Sequence, residues 1–197
     1  MIGGNDMINI LVAGDSFASN WNTGEEWWQQ LPYNITNIAQ AGASQYKILK
    51  SFTSVDIKAY DAVIIFHTSP TRIYASKGNL LHKDSVTHRD SCYVINDVLS
   101  KRGPIKRALE SYTKYFYDDD FITYTHRKIC HDIETKTHNV PVIHASGFDY
   151  TGVYTFKNFI SITDLFETHR GNICHLTPNG NRLLKERIYK QLQQLWE

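Results

Sequence analysis

Cysteine is scarce in this sequence: Cys92, Cys130 and Cys174 are the only three in 197 residues. Their number is odd, their spacing is wide, and no two form a C-x-x-C pair. That argues against a disulfide framework and a structural zinc site, and it fits a reducing compartment. Excess charge of either sign is also missing. The 21 Lys and Arg stand against 20 Asp and Glu, leaving a formal charge of +1. Nothing in that balance selects nucleic acid or an anionic membrane as a partner. No apolar run approaches the roughly 20 residues that span a bilayer. The opening segment, MIGGNDM, has an acid and no basic region, unlike a secretory signal. A cytoplasmic protein is expected. No repeat, low-complexity tract or linker divides the chain. No G-x-G-x-x-G follows the first apolar run, which argues against a nucleotide or flavin binder.

What is present reads as one domain over residues 1–197 with a sizeable core, since 42% of residues are hydrophobic and 21% charged. Residues 8–13 are apolar and β-branched, as a buried central strand is. Thr23 can cap a helix over 25–31, with Glu26 at the capping-box position, and Pro32 ends it. Residues 35–39 read as a second strand. Ser44 can cap a helix running to about residue 54. Residues 62–67 form a third strand, broken by Thr68-Ser69-Pro70. A polar loop over 73–90 is expected, then helical material over 91–100, 104–117 and 118–137. Gly103-Pro104 opens the second of these. This stretch, 73–137, exceeds one crossover and reads as a helical and loop insertion beside the sheet. Residues 140–145 make a fourth strand, and 159–162 a fifth strand or a connector. Thr177-Pro178 starts the last helix, in which Leu184, Ile188, Leu192 and Leu195 recur at helical spacing. Alternating strands and helices argue for an α/β fold, a parallel sheet with helices on both faces.

Four positions follow strand ends or precede a helix. Ser16 follows the first strand in Gly14-Asp15-Ser16, Gly42 the second, and Ser69 the third; His175 lies just ahead of the last helix. A parallel sheet brings strand ends to one edge, where ligands gather. A hydroxyl there, beside backbone N–H donors and a histidine, is what acyl transfer needs. Taken singly, each has a plainer reading. Ser16 can cap a helix, Gly42 can serve turn geometry, and His175 can be a loop histidine.

Together these blocks resemble the SGNH (GDSL-like) hydrolase family. The carriers are Gly14-Asp15-Ser16-Phe17, the segment 37–44 with Gly42, and His175-Leu176-Thr177-Pro178-Asn179-Gly180. Similar short blocks occur in SGNH-like proteins of marine phage genomes. The resemblance implies a flavodoxin-like three-layer α/β/α sandwich and hydrolysis of esters, including carbohydrate O-acetyl groups. It implies Ser16 as nucleophile and His175 as base. The oxyanion would be held by the backbone N–H groups of Ser16 and Gly42, with Ser69 as third donor. No cofactor or metal is required, and the partner is a small-molecule or glycan ester.

Two positions depart from the family pattern. Ser69 stands where the family has an oxyanion asparagine, and loss of such a donor costs about 10²–10³ in rate. Asn172 stands where the family has the aspartate that orients the histidine, a change worth on the order of 10⁴. Either a backbone carbonyl or Asp164 can replace that acid. If nothing does, the chain is a weak or inactive binding or assembly protein on the same fold. His67, Arg72 and Tyr74 are further candidates for substrate contact, Arg72 through an anionic group. Tyr93 can line the same pocket. For His67 the competing reading is a strand-end core residue, and for Arg72 a surface salt bridge. Cys174 reads as a small buried residue, and His169, Cys174 and His175 are too loosely spaced for zinc. Asp118-Asp119-Asp120 reads as a charged helix N-terminus rather than a calcium site.

Overall fold

The structure, a computed structural model, describes residues 7–20, 25–75, 91–94, 103–171 and 175–197. Its strands are β1 (Asn9–Gly14), β2 (Asn34–Asn37), β3 (Ala62–His67), β4 (Arg72–Ala75), β5 (Ser91–Val94), β6 (Val142–Ser146) and β7 (Phe159–Ser161). Five of them form one parallel sheet in the order β2-β1-β3-β6-β7. This is the flavodoxin-like winding, which reverses direction between β1 and β3. The crevice at that reversal lies beyond Gly14 and His67, where the chain runs on into Ser16 and Ser69.

The continuous apolar runs of β1 and β3 follow from burial on both faces. Ile10 and Val12 pair in register with Ala62 and Ile64. They face Trp27, Leu184, Ile188 and Leu192. The alternate residues Leu11, Ala13, Val63 and Ile65 face Ile48, Phe52 and Ile133. A period of two thus divides one run between two cores.

The helices are α1 (Gln45–Ser51), α2 (Pro104–Tyr115), α3 (Asp119–Thr137), α4 (Thr163–Thr168) and α5 (Pro178–Trp196). Two caps expected from the sequence, Ser44 and Thr177, are made, and Asp118 supplies a third. Ser44 Oγ accepts from Lys47 N, Asp118 Oδ1 from Phe121 N, and Thr177 Oγ1 from Gly180 N. Each satisfies an N–H that has no partner inside its helix. The stripe of α5 is buried as expected, with Leu184, Ile188 and Leu192 sealed in the core.

Four expectations change. The helix expected over 25–31 is a single 3₁₀ turn, Trp27–Gln30, capped by Glu26 with Gln29 completing the capping box. The fully buried Trp27 ring and the nearby Pro32 confine it to one turn. Thr23 lies outside the described residues. Residues 72–75 and 91–94 are not loop and helix but an antiparallel pair, Arg72↔Val94 to Ala75↔Ser91. Pairing satisfies backbone groups that neither segment satisfies alone. The helix after Ser44 ends at Ser51 and tightens into a 3₁₀ turn over Phe52–Ser54. Helix α4, six residues long, is too short for its periodicity to show in the sequence. Within the 73–137 stretch, α3 belongs to the α/β/α layers, since Ile133 packs with Ile48 of α1. No helix among the described residues is long and apolar enough to cross a membrane.

Candidate active site

Gly14 ends β1 at a φ of +146°, and a Cβ there would stand 2.6 Å from Phe66 Cβ and 2.7 Å from Phe66 O. Only glycine permits this approach to β3. The chain then turns through residues 15–18, closed by Ala18 N donating to Asp15 O at 3.2 Å. The other carbonyls of the turn are held by side chains. Ser16 O accepts from Ser19 Oγ at 3.2 Å, Phe17 O from Trp27 Nε1 at 2.9 Å, and Ala18 O from Asn37 Nδ2 at 2.7 Å. Ser16 is therefore half-buried on a turn whose backbone has little freedom. Trp27 and Asn37 gain this positioning role from tertiary contact, and no sequence pattern marked it.

Phe17 fastens the turn to the far side of the crevice. Its ring lies edge-on to Phe166 of α4 at 5.5 Å and to Phe148 at 6.1 Å. Gly147 passes beneath it, where a Cβ would come within 2.8 Å of the ring. Arg170 in turn covers the Phe166 ring at 5.1 Å and is bridged to Leu176. His175 adjoins that bridge, its carbonyl accepting from Gly171 N at 2.5 Å. The His175 loop and the Ser16 turn thus share the Phe166 anchor. Half-burial lowers the pKa of His175 below its ordinary 6.5, so the ring is a neutral base near pH 7. Asn172 and Cys174 lie outside the described residues. Asp164, the alternative acid, is taken up by Arg187 of α5 through two hydrogen bonds of 2.9 and 2.5 Å. These bonds hold its pKa below the usual carboxylate value, and the pair braces α4 against α5.

Gly42 has a φ of +74° in a turn closed by Ala43 N and Gln40 O at 3.1 Å. Gln40 N donates to Gly14 O at 3.0 Å, joining the exits of β1 and β2. Arg72 stands over this junction. Its Nη1 would lie 3.8 Å from a Cβ on Gly42, and its Nη2 lies 3.8 Å from Asp15 Oδ2. Asp15 is sealed from solvent, its Oδ1 accepting from Phe17 N at 3.0 Å. Burial raises its carboxyl to about 6, against the pull of Arg72. The Thr68 hydroxyl also favours the carboxylate, although no hydrogen bond of standard geometry joins them. Arg72 is thus a partly enclosed counter-charge to a sealed carboxyl rather than half of a surface pair.

Ser69 shapes the turn that delivers Arg72. Its Oγ accepts from Thr71 N at 3.3 Å and shares a bond with Thr71 Oγ1 at 2.9 Å, while its carbonyl accepts from Arg72 N at 3.2 Å. When Thr71 is the hydroxyl donor, Ser69 keeps its own proton to donate elsewhere.

His67 turns inward, and substrate contact gives way to a core role. It is fully buried, stacks on Phe156 at 4.1 Å, and engages both ring nitrogens. The hydrogen bonds around it have one consistent direction. Gln45 Oε1 accepts from Thr68 N at 3.2 Å, so Gln45 Nε2 donates to His67 Nδ1 at 2.6 Å. His67 Nε2–H then donates to His144 Nδ1 at 2.8 Å. Beside them Tyr150 OH donates to Thr68 O at 2.7 Å and accepts from His126 Nε2–H, also at 2.7 Å. All three rings are neutral in this pattern, as burial requires. The visible trace of the network in the sequence is a histidine inside each of the apolar strands β3 and β6.

Two cavities lie near this edge of the sheet, and neither is lined by Ser16, Gly42, Ser69 or His175. One of about 180 Å³ lies between α1, β4, α2 and α3, and Arg72 and Tyr74 line it. Tyr74 OH accepts from Lys50 Nζ at 3.0 Å, and its ring meets Tyr46 edge-on at 4.9 Å. The other, of about 590 Å³, follows the β6–β7 connection beside Asp149, Thr151, Tyr154, Phe159 and Glu167.

No protein-family model matches the sequence, and no curated protein matches it. Solved structures do match. A protein from Streptococcus pneumonia, described by reference to platelet activating factor, aligns over 95% of this chain and 85% of its own. Its TM-score is 0.52 and its identity 11%. TesA aligns over 95% of this chain and 99% of its own, at a TM-score of 0.52 and 12% identity. With its sheet order and with Ser16 at the reversal point, the chain shares the three-layer α/β/α fold of these two structures, the architecture that the resemblance to SGNH hydrolases implies.

Proposed function

We propose that this protein is a hydrolase of carboxylic esters, with Ser16 as nucleophile and His175 as its general base. Ser16 Oγ attacks the acyl carbon while its proton passes to His175. The backbone N–H groups of Ser16 and Gly42 receive the oxyanion, with the Ser69 hydroxyl as third donor. Collapse breaks the bond to the alcohol, which leaves with the proton held by His175. A water then gives its proton to His175 and attacks the acyl-enzyme, releasing the acid and restoring Ser16. Asn172 or a backbone carbonyl orients the histidine, because Asp164 is committed to Arg187. The wider cavity, with rings beside hydroxyls and carboxylates, suits the alcohol side, and a glycan ester is one such substrate.

The observation that carries this reading is the convergence on the Ser16 turn. Asn37 and Gln40 reach it from the exit of β2, Arg72 from the turn after β3, and Phe166 from α4. Labelling with a fluorophosphonate probe tests it, together with turnover of 4-nitrophenyl esters. Wild type is expected to label and turn over, while Ser16→Ala does neither and His175→Ala is slowed at least about 10³-fold. Equal labelling of wild type and Ser16→Ala removes the nucleophile. The altered residues Ser69 and Asn172 favour the second reading, a binding protein on the same fold. Asn172→Asp separates the two. A large gain from a negligible rate points to a decayed enzyme, and high turnover without gain to a working dyad.

A further inference from the structure

The smaller cavity takes no part in the steps above, and its walls have a definite chemistry. Tyr46 of α1, Ile73 and Tyr74 of β4, Tyr112 of α2 and Ile122 of α3 make it aromatic and branched-aliphatic. Such walls favour a flat or compact apolar body. Its volume of about 180 Å³ slightly exceeds the roughly 150 Å³ of an apolar cavity that holds benzene. One wall differs from the rest. Arg72 lines the cavity and also touches the nucleophile turn, 3.8 Å from Asp15 and beside Gly42. Its Nε–H is buried and has no acceptor among the described residues. The cavity is therefore mainly apolar, with Ser44, Gln45, Thr125 and His126 among its polar lining, and the Arg72 guanidinium forms the wall that it shares with the Ser16 turn.

We infer that this cavity is the acyl site, and that it takes a compact aromatic or branched acyl group entering with its carbonyl end toward Arg72. An acetyl group leaves it largely unfilled, and a long straight chain overfills it. The inference rests on the ester-hydrolase reading of Ser16, and the test separates the two.

Rates are measured for 4-nitrophenyl acetate, benzoate and dodecanoate, each divided by the hydroxide-catalysed rate of the same ester. On that scale benzoate is expected to exceed both others by about tenfold or more. Thr125→Phe and Ile122→Phe place a ring into the cavity from α3. Each is expected to lower the benzoate-to-acetate ratio at least about tenfold. A ratio unmoved in both variants, with far-UV circular dichroism showing them folded, overturns the inference. In parallel, benzamide binding to Ser16→Ala is followed by ligand-observed NMR, with and without Thr125→Phe. Benzamide bound and then lost on Thr125→Phe supports the aryl site even where no ester is turned over, an outcome that refutes the hydrolase reading instead. Turnover without benzoyl preference and without benzamide binding refutes the acyl site and leaves the hydrolase reading standing.

Discussion

Acidification from about pH 6.5 to about pH 5 is expected to weaken the fold through His67, His126 and His144. Burial holds all three rings below the ordinary histidine value, His126 at about 4, His144 at about 3 and His67 well below 6.5. In the unfolded chain they titrate near 6.5. Below that pH the unfolded state binds more protons than the folded state, so stability falls as pH falls. Each ring contributes a slope of about 1.4 kcal/mol per pH unit, and the three together about 4 kcal/mol per unit. Asp15 has the opposite sign. Its folded carboxyl, raised to about 6, takes up a proton before the unfolded one does. Below about pH 6 it returns about 1.4 kcal/mol per unit, leaving a net slope of about 3. Against a total stability of about 5–15 kcal/mol, one pH unit is a large fraction. Urea unfolding followed by far-UV circular dichroism at several pH values measures the slope directly. His144→Gln keeps an oxygen to accept from His67 Nε2–H and removes one titrating ring. Its slope is expected to be shallower than wild type by about 1.4 kcal/mol per unit. An unchanged slope would show that His144 is not held neutral and would refute the proton directions assigned to the network.

Gly14→Ala is expected to cost about 3 kcal/mol, from a strained positive φ plus overlap with Phe66 backbone that cannot move aside; a loss below about 1 kcal/mol in urea unfolding would contradict the close packing of β1 on β3. Trp27→Phe keeps a ring but removes the donor to Phe17 O, so stability should fall by about 1 kcal/mol. The same substitution should lower kcat on 4-nitrophenyl esters severalfold with little change in KM, and an unaltered kcat would detach Trp27 from the Ser16 turn. Asp164→Asn breaks an exposed pair and should cost less than about 1 kcal/mol. Ester turnover should survive it, whereas abolished turnover with an intact fold would make Asp164 the acid behind His175. Because burial lowers the His175 pKa, the acid limb of kcat/KM should fall at a pH below 6.5; a limb at or above 6.5 would assign the base elsewhere.

The layers of this fold and the placing of Ser16, Gly42, Ser69 and His175 at element ends are legible in the residues. Apolar strand runs, the Ser44 and Thr177 caps and the period of the last helix are local signals that neighbours in sequence create together. The β4–β5 pair was hidden because its hydrogen bonds join segments far apart in sequence, and α4 because six residues show no period. The opposite fates of His67 and Arg72 were hidden as well. Both flank the turn after β3, and nothing in the sequence sends one into the core and the other over Asp15 and Gly42. By itself, then, the sequence determined the α/β layering and the residues available at the crevice, since these follow from hydrophobic pattern and turn chemistry. Only the tertiary structure decided which of them face the chemistry. Burial and hydrogen-bond partners contributed by distant elements enclose His67, commit Asp164 to Arg187, and set Arg72 between a cavity and the Ser16 turn.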